Sequence, residues 1–207
     1  MKKVLLFTIV LLAAFAIYWI LGRKDKSKKD DVKQGPLVLK LHTETFNASI
    51  DRAMDAYHNI KNAFVDADSA RAKNHTKEFI SLLDSIPLTE LKNDTAMIFE
   101  TASATVADIK SNAESLLKQT DLKEMRKDFS AVTDQLYPAF FKSINYEGEK
   151  LYLQHCPMAF DGTDGANWIS NNIEIVNPYL GKNHPKYKGT MLHCGEIMDT
   201  ISFTQTR

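Results

Sequence analysis

Six residues near the C-terminal end carry the donor atoms that could do chemistry: His155, Cys156 and Met158, then Met191, His193 and Cys194. They lie in QHCPMAF, Gln154 to Phe160, and in MLHCG, Met191 to Gly195, and they include both cysteines of the chain. Two thiolates and two thioethers meeting at one point suit a soft monovalent ion, Cu(I) first and Ag(I) by the same softness. Zinc would accept the cysteines and histidines but leave the methionines unused. His155 and His193 are reserve ligands, because each adjoins a cysteine and can point away from it. A disulfide between Cys156 and Cys194 is the second reading. It would close a loop of about 39 residues and stabilise the fold by about 4 kcal/mol through chain entropy. Unlinked structural cysteines are the third, and spacing alone leaves all three open.

Catalysis fits these residues less well. Neighbouring side chains on a strand face opposite ways, so His155 is badly placed as a base for Cys156. The sequence has no Cys-x-x-Cys pair, no HExxH and no G-x-S-x-G. DGTDG, Asp161 to Gly165, lacks the G-K-[ST] continuation of a phosphate loop and the terminal glutamate of a calcium loop, and reads as a turn. A non-catalytic protein is expected.

The elements that must position these residues follow from periodicity. Phe46, Ile50, Ala53, Tyr57, Ile60 and Phe64 share one face of a helix, with His58 on its flank. Asp66 or Asp68 caps a second helix carrying Ala72, His75, Phe79, Leu82, Leu83 and Ile86, which Pro87 stops. His75 is expected at the core boundary, hydrogen-bonded. A third helix is expected over Asp94–Lys118, with Met97, Ile98, Ala102, Val106, Ile109, Ala113, Leu116 and Leu117 inward. Asp121 and Glu124 have capping-box spacing and open a fourth, with Met125, Phe129, Val132 and Leu136 on its face and Pro138 at its end. Met54, Met97 and Met125 read as core fillers.

After Tyr146 the pattern changes to a short strand near Lys150–Gln154 and a run of turn residues. The expected fold is mainly α: an antiparallel four-helix bundle followed by a small turn-rich unit with short strands. Residues 41–145 would form the bundle. Residues 146–207 would form the cysteine- and methionine-bearing unit packed on it.

The composition, 44% hydrophobic, is enough for one ordinary core. Basic and acidic residues balance at 26 each and are interleaved, which argues against a nucleic-acid partner. Residues 1–22 read as a membrane anchor or signal sequence: Lys2 and Lys3 precede an apolar run, Val4 to Leu21, that spans roughly 27 Å as a helix. Residues 23–40 read as a polar tether. The inner membrane is the partner implied. The lysines after Leu21 favour a cytoplasmic domain, whereas the signal-like start favours export.

The run HCPMAFDGTDGANWISNNIEIVNPYLG, His155 to Gly181, with MLHCG, resembles a bacterial envelope domain family of unknown function. That family occurs as stand-alone exported proteins and fused at the end of copper/silver-efflux periplasmic adaptor subunits. The resemblance covers roughly Leu41 to Met198. It rests on Cys156, Pro157, Met158 and Ala159; on Gly165, Ala166, Trp168 and Ser170; on Asn177, Pro178, Tyr179 and Gly181; and on Met191, Leu192, Cys194 and Gly195. Between Gly181 and Met191 this chain carries a longer link, KNHPKYKGT, with His184 as an extra donor.

The resemblance implies a membrane-anchored periplasmic protein that binds Cu(I) through Cys156, Met158, Met191 and Cys194, with a metal-efflux adaptor or transporter as partner. The alternative is an interaction module for such an adaptor or another envelope protein. There the Cys156–Cys194 disulfide would brace the tail, and Trp168, Tyr179 and Tyr187 would form an exposed patch; packing inside the small unit is the favoured reading for each.

Overall fold

In the computed structural model, residues 42–160 and 164–202 are described. Each helix begins where a short polar side chain can take up an otherwise unpaired backbone N–H. Thr43 accepts from Phe46 N to open α1 (Glu44–Val65), and Asp68 accepts from Arg71 N to open α2 (Ser69–Asp84). Thr95 accepts from Ile98 N to open α3 (Ala96–Lys118), two residues after the expected start at Asp94. Asp121 accepts from both Lys123 N and Glu124 N to open α4 (Leu122–Asp134). A 3-10 turn, Leu88–Asn93, follows Pro87 and leads into α3. Beyond α4 the path breaks at Tyr137, whose extended backbone precedes cis Pro138. A further helical turn, Phe141–Ser143, closes the helical part.

Packing follows chain order: α1 lies on α2, α2 on α3 and α3 on α4. The apolar faces read from periodicity form the core, with Phe46, Tyr57, Phe64, Phe79, Ile109, Met125 and Phe129 fully buried. Met97 departs from expectation: in the first turn of α3 it is 64% exposed. His58 departs the other way and is buried, as is Lys61 one turn later.

Three strands follow: β1 (Leu151–Phe160), β2 (Asp164–Ser170) and β3 (Glu196–Ile201). They form an antiparallel sheet in the order β2-β1-β3. β1 is twice as long as expected because it pairs on both sides, and its register with β2 shifts between Cys156 and Phe160. Thus four helices followed by a small antiparallel strand region make up the fold.

A chain of hydrogen bonds ties sheet to helices. Ile169 N donates to the Tyr57 hydroxyl (3.0 Å), which donates to Thr133 Oγ1 (2.6 Å), which donates to Phe129 O (3.1 Å). All of it is buried, so Tyr57→Phe strands the Ile169 N–H. A loss of about 1–3 kcal/mol in denaturant unfolding is expected. A variant within about 0.5 kcal/mol of the parent would show that the link is dispensable.

The Val4–Leu21 anchor and the tether over residues 23–40 lie outside the described residues. Among the described residues no helix is long and apolar enough to cross a membrane. The expectation of a membrane-anchored periplasmic protein with the inner membrane as partner is corrected to that finding: residues 42–160 and 164–202 hold no membrane-spanning helix.

Candidate functional site

β1 carries Cys156 into the core, where it is fully buried opposite Ala166 of β2. Cys194 closes a turn, its N–H donating to Met191 O (3.0 Å) and its carbonyl accepting from Asn177 Nδ2 (2.7 Å). The two sulfurs lie 3.4 Å apart and both cysteines are free. This is a contact between thiols, since a disulfide bond is about 2.05 Å long. The expected structural disulfide is therefore corrected. Burial raises the Cys194 thiol above its usual range, reinforced by the hydrogen bond to Cys156 and by the charge that Cys156 would carry.

The other expected ligands do not join them. Strand alternation sends His155 away from Cys156, and its Nδ1 pairs with Asn167 Oδ1 across the β1–β2 ladder (2.8 Å). His193 is exposed, with Nδ1 donating to Ile175 O (2.7 Å). Met158 and Met191 are half-buried packing residues at the edge of the core. Among the described residues no group of three or more His, Cys, Asp or Glu side chains could hold a metal ion. The copper-binding function, the Cu(I) cofactor and the metal-efflux partner are corrected accordingly. The physical reason is that a thiol pair, with both imidazoles committed to backbone and amide partners, lacks the charged donor set that a bound cation requires.

The aromatic patch is likewise absorbed. Trp168 and Tyr179 are buried, with ring centroids 6.0 Å apart and edge to face, and Tyr187 is half-buried with His184 stacked on it. Gly195, at φ +148°, has room for no side chain: a Cβ would come within 2.9 Å of the Trp168 ring. The residues that stood out in the sequence serve here to fit the last loop onto the sheet.

A different site lies where the N-terminal end of α4, the end of β1 and the Gly181–Met191 link converge. The link is pinned to the end of α1 by Lys182 N donating to Val65 O (2.8 Å), and by Lys182 Nζ and Asn183 Nδ2 reaching Asp66. Gly181 permits the approach, since a Cβ there would stand 2.6 Å from Val65 O. The result is a cleft of about 220 Å³ lined by Asp121, Leu122, Lys123 and Arg126 of α4, Ala159 and Phe160 of β1, and Tyr179, His184 and Pro185.

Arg126 is the unusual member. It is 5% exposed, and Nη2 donates to Phe64 O (2.7 Å), so it caps the negative end of α1, whose own last turn has no basic residue. Its Nε is buried without an acceptor, and no carboxylate pairs with it among the described residues. Burial lowers its pKa to about 10. His184 Nδ1 accepts from Lys186 N and Tyr187 N, which places the proton of the neutral ring on Nε2. Burial and the charges of Arg126 and Lys186 hold that ring below its ordinary pKa.

Sequence reasoning passed over Arg126. Only its position beside Met125 on the buried side of α4 could have drawn notice, and a surface arginine is the ordinary reading there.

The fold and sites define a small helical domain completed by a three-stranded sheet, with a reduced thiol pair and a cleft bearing Arg126 at its edge. Residues 53–146, within the helical part, are similar to the family described as protein of unknown function (DUF3347). The matched stretch ends before β1, so the cysteine- and methionine-bearing signature lies beyond it. No curated protein and no solved structure matches the chain.

Proposed function

We propose that this domain is a non-catalytic binding module that takes a small ligand into the cleft between α4, the end of β1 and the Gly181–Met191 link. The observation that carries this reading is Arg126: a cation on the cleft wall, 5% exposed, with a buried Nε lacking an acceptor and no described carboxylate paired with it. A buried charge without a partner is costly, and folds keep one where something else completes it.

Support for the non-catalytic part comes from the reactive groups themselves. The Cys194 thiol is raised out of the thiolate range, and His58 is lowered to about 3 by burial and by Lys61. The rings of His155 and His193 are tied to Asn167 and to Ile175. Neither Cys194 nor His58 is thereby poised as a nucleophile or base at neutral pH.

The likeness to domains fused at the end of copper/silver-efflux adaptors rests on the signature from His155 to Gly195. Much of that signature is spent on packing: Trp168 and Tyr179 in the core, Gly181 and Gly195 at close backbone approaches.

Amide NMR of the labelled full chain with a panel of single-ring fragments (phenol, aniline, benzamide and benzoate) tests the binding module. At least one fragment is expected to shift resonances clustered at Leu122, Arg126, Phe160, Tyr179 and His184. Shifts scattered over the surface, or confined to the sheet around Cys156, would sink this reading.

A further inference from the structure

Resting on that reading of the cleft, we infer that its ligand class is a small organic carboxylate carrying one planar apolar ring, bound through Arg126. The charge follows from what the wall lacks. Arg126 spends one Nη2 hydrogen on Phe64 O, while its Nε–H has no acceptor and no described carboxylate forms an ion pair with it. A planar guanidinium offers paired donors that match the two oxygens of a carboxylate, a match a lysine could not make.

Asp121 is the acid that shares the cleft. Its Oδ1 already accepts from Lys123 N and Glu124 N as the cap of α4, so it faces the positive end of that helix rather than Arg126. His184, which also lines the cleft, adds a neutral ring whose Nε2 carries the proton, supplied by the Gly181–Met191 link.

The ring follows from the rest of the lining. Leu122, Ala159 and Pro185 are apolar, and Phe160 meets Tyr179 edge to face at 5.3 Å, so much of the wall offers no hydrogen bond. A flat apolar body packs on such a wall by dispersion and edge contacts. The volume, about 220 Å³, admits a one-ring molecule and falls short of drug-sized ligands. Inorganic phosphate would satisfy the arginine and leave the apolar wall wet.

The deciding comparison uses the unaltered full chain and three probes in calorimetric titration: benzoate, its neutral isostere benzamide, and inorganic phosphate. Benzoate is expected to bind at least about tenfold more tightly than either, the size of one charge-assisted contact. Equal binding of benzoate and benzamide would leave the binding module standing and overturn the carboxylate. Phosphate as tight as benzoate would overturn the ring. If none of the three binds while another fragment shifts the cleft resonances, the ligand class is wrong and the module survives. Silence of every fragment removes both.

Arg126→Lys keeps the charge and loses the fork. Where its thermal transition stays cooperative, benzoate affinity is expected to fall by about tenfold, and an unchanged affinity would overturn the role of Arg126.

Discussion

Lowering the pH from 7 to 3 is expected to remove on the order of 4 kcal/mol of stability through one residue, His58. The ring is 8% exposed on α1, its Nε2 has no hydrogen-bond partner, and the edge of Tyr57 lies against it. Burial is the larger cause of its lowered pKa, about 3, and the charge of nearby Lys61 the smaller. In the unfolded chain the same ring titrates near 6.5. Between these values the unfolded state binds a proton that the folded state refuses, so stability falls as pH drops from about 6.5 towards 3.

The loss is large against a domain stability of about 5–15 kcal/mol. Denaturant unfolding at a series of pH values should show it. His58→Leu, which keeps the volume and removes the titration, should flatten the profile in that window. Parallel profiles for the two proteins would place the acid sensitivity elsewhere.

Lys61 acts in a separate window. Its pKa is lowered to about 8 by burial, against about 10.5 unfolded, so stability rises with pH between those values.

Trp168→Ala should cost about 3–5 kcal/mol, the range for deleting a fully buried aromatic side chain. Trp168 sits on β2 with no exposure, packs edge to face on Tyr179, and underlies Gly195. Its Nε1 has no partner, so the loss is one of packing alone, with no hydrogen bond forfeited. The ring lies where β2, the Asn177–Leu180 turn and the start of β3 meet, so its removal loosens the sheet where it faces the helices. Equilibrium unfolding followed by tyrosine fluorescence and by circular dichroism would measure the change. A loss below about 1 kcal/mol would mean the sheet is held mainly by the Tyr57 chain.

Most of the helical layer was legible in the sequence because its signals are local. A helix needs a cap and a face, and Thr43, Asp68 and Asp121 stand one residue ahead of helices whose faces repeat at helical spacing. Where local signals thinned, so did the reading. Met97 belongs to the apolar stripe of α3 by spacing, yet its own side chain is 64% exposed while Ile98 and Phe99 beside it pack against the core. His58 and Lys61 look like a solvated flank, and tertiary packing buries them, turning two ordinary polar residues into the main titrating features of the core.

The sequence by itself determined four capped amphipathic helices, a turn-rich tail with short strands, and the presence of sulfur and imidazole donors in two short runs. Which of those donors meet was decided only by the tertiary structure. Strand alternation turned His155 from Cys156, and a loop closed over Asn177 brought Cys194 within contact of Cys156 as a thiol. The cleft was decided there too. Arg126, Phe160 and His184 are far apart in the chain and become neighbours only because the end of α1 anchors both α4 and the Gly181–Met191 link. Spacing along a chain records which groups share a helix face or a strand. The meeting of groups from separate elements depends on how those elements pack, and no local pattern encodes that.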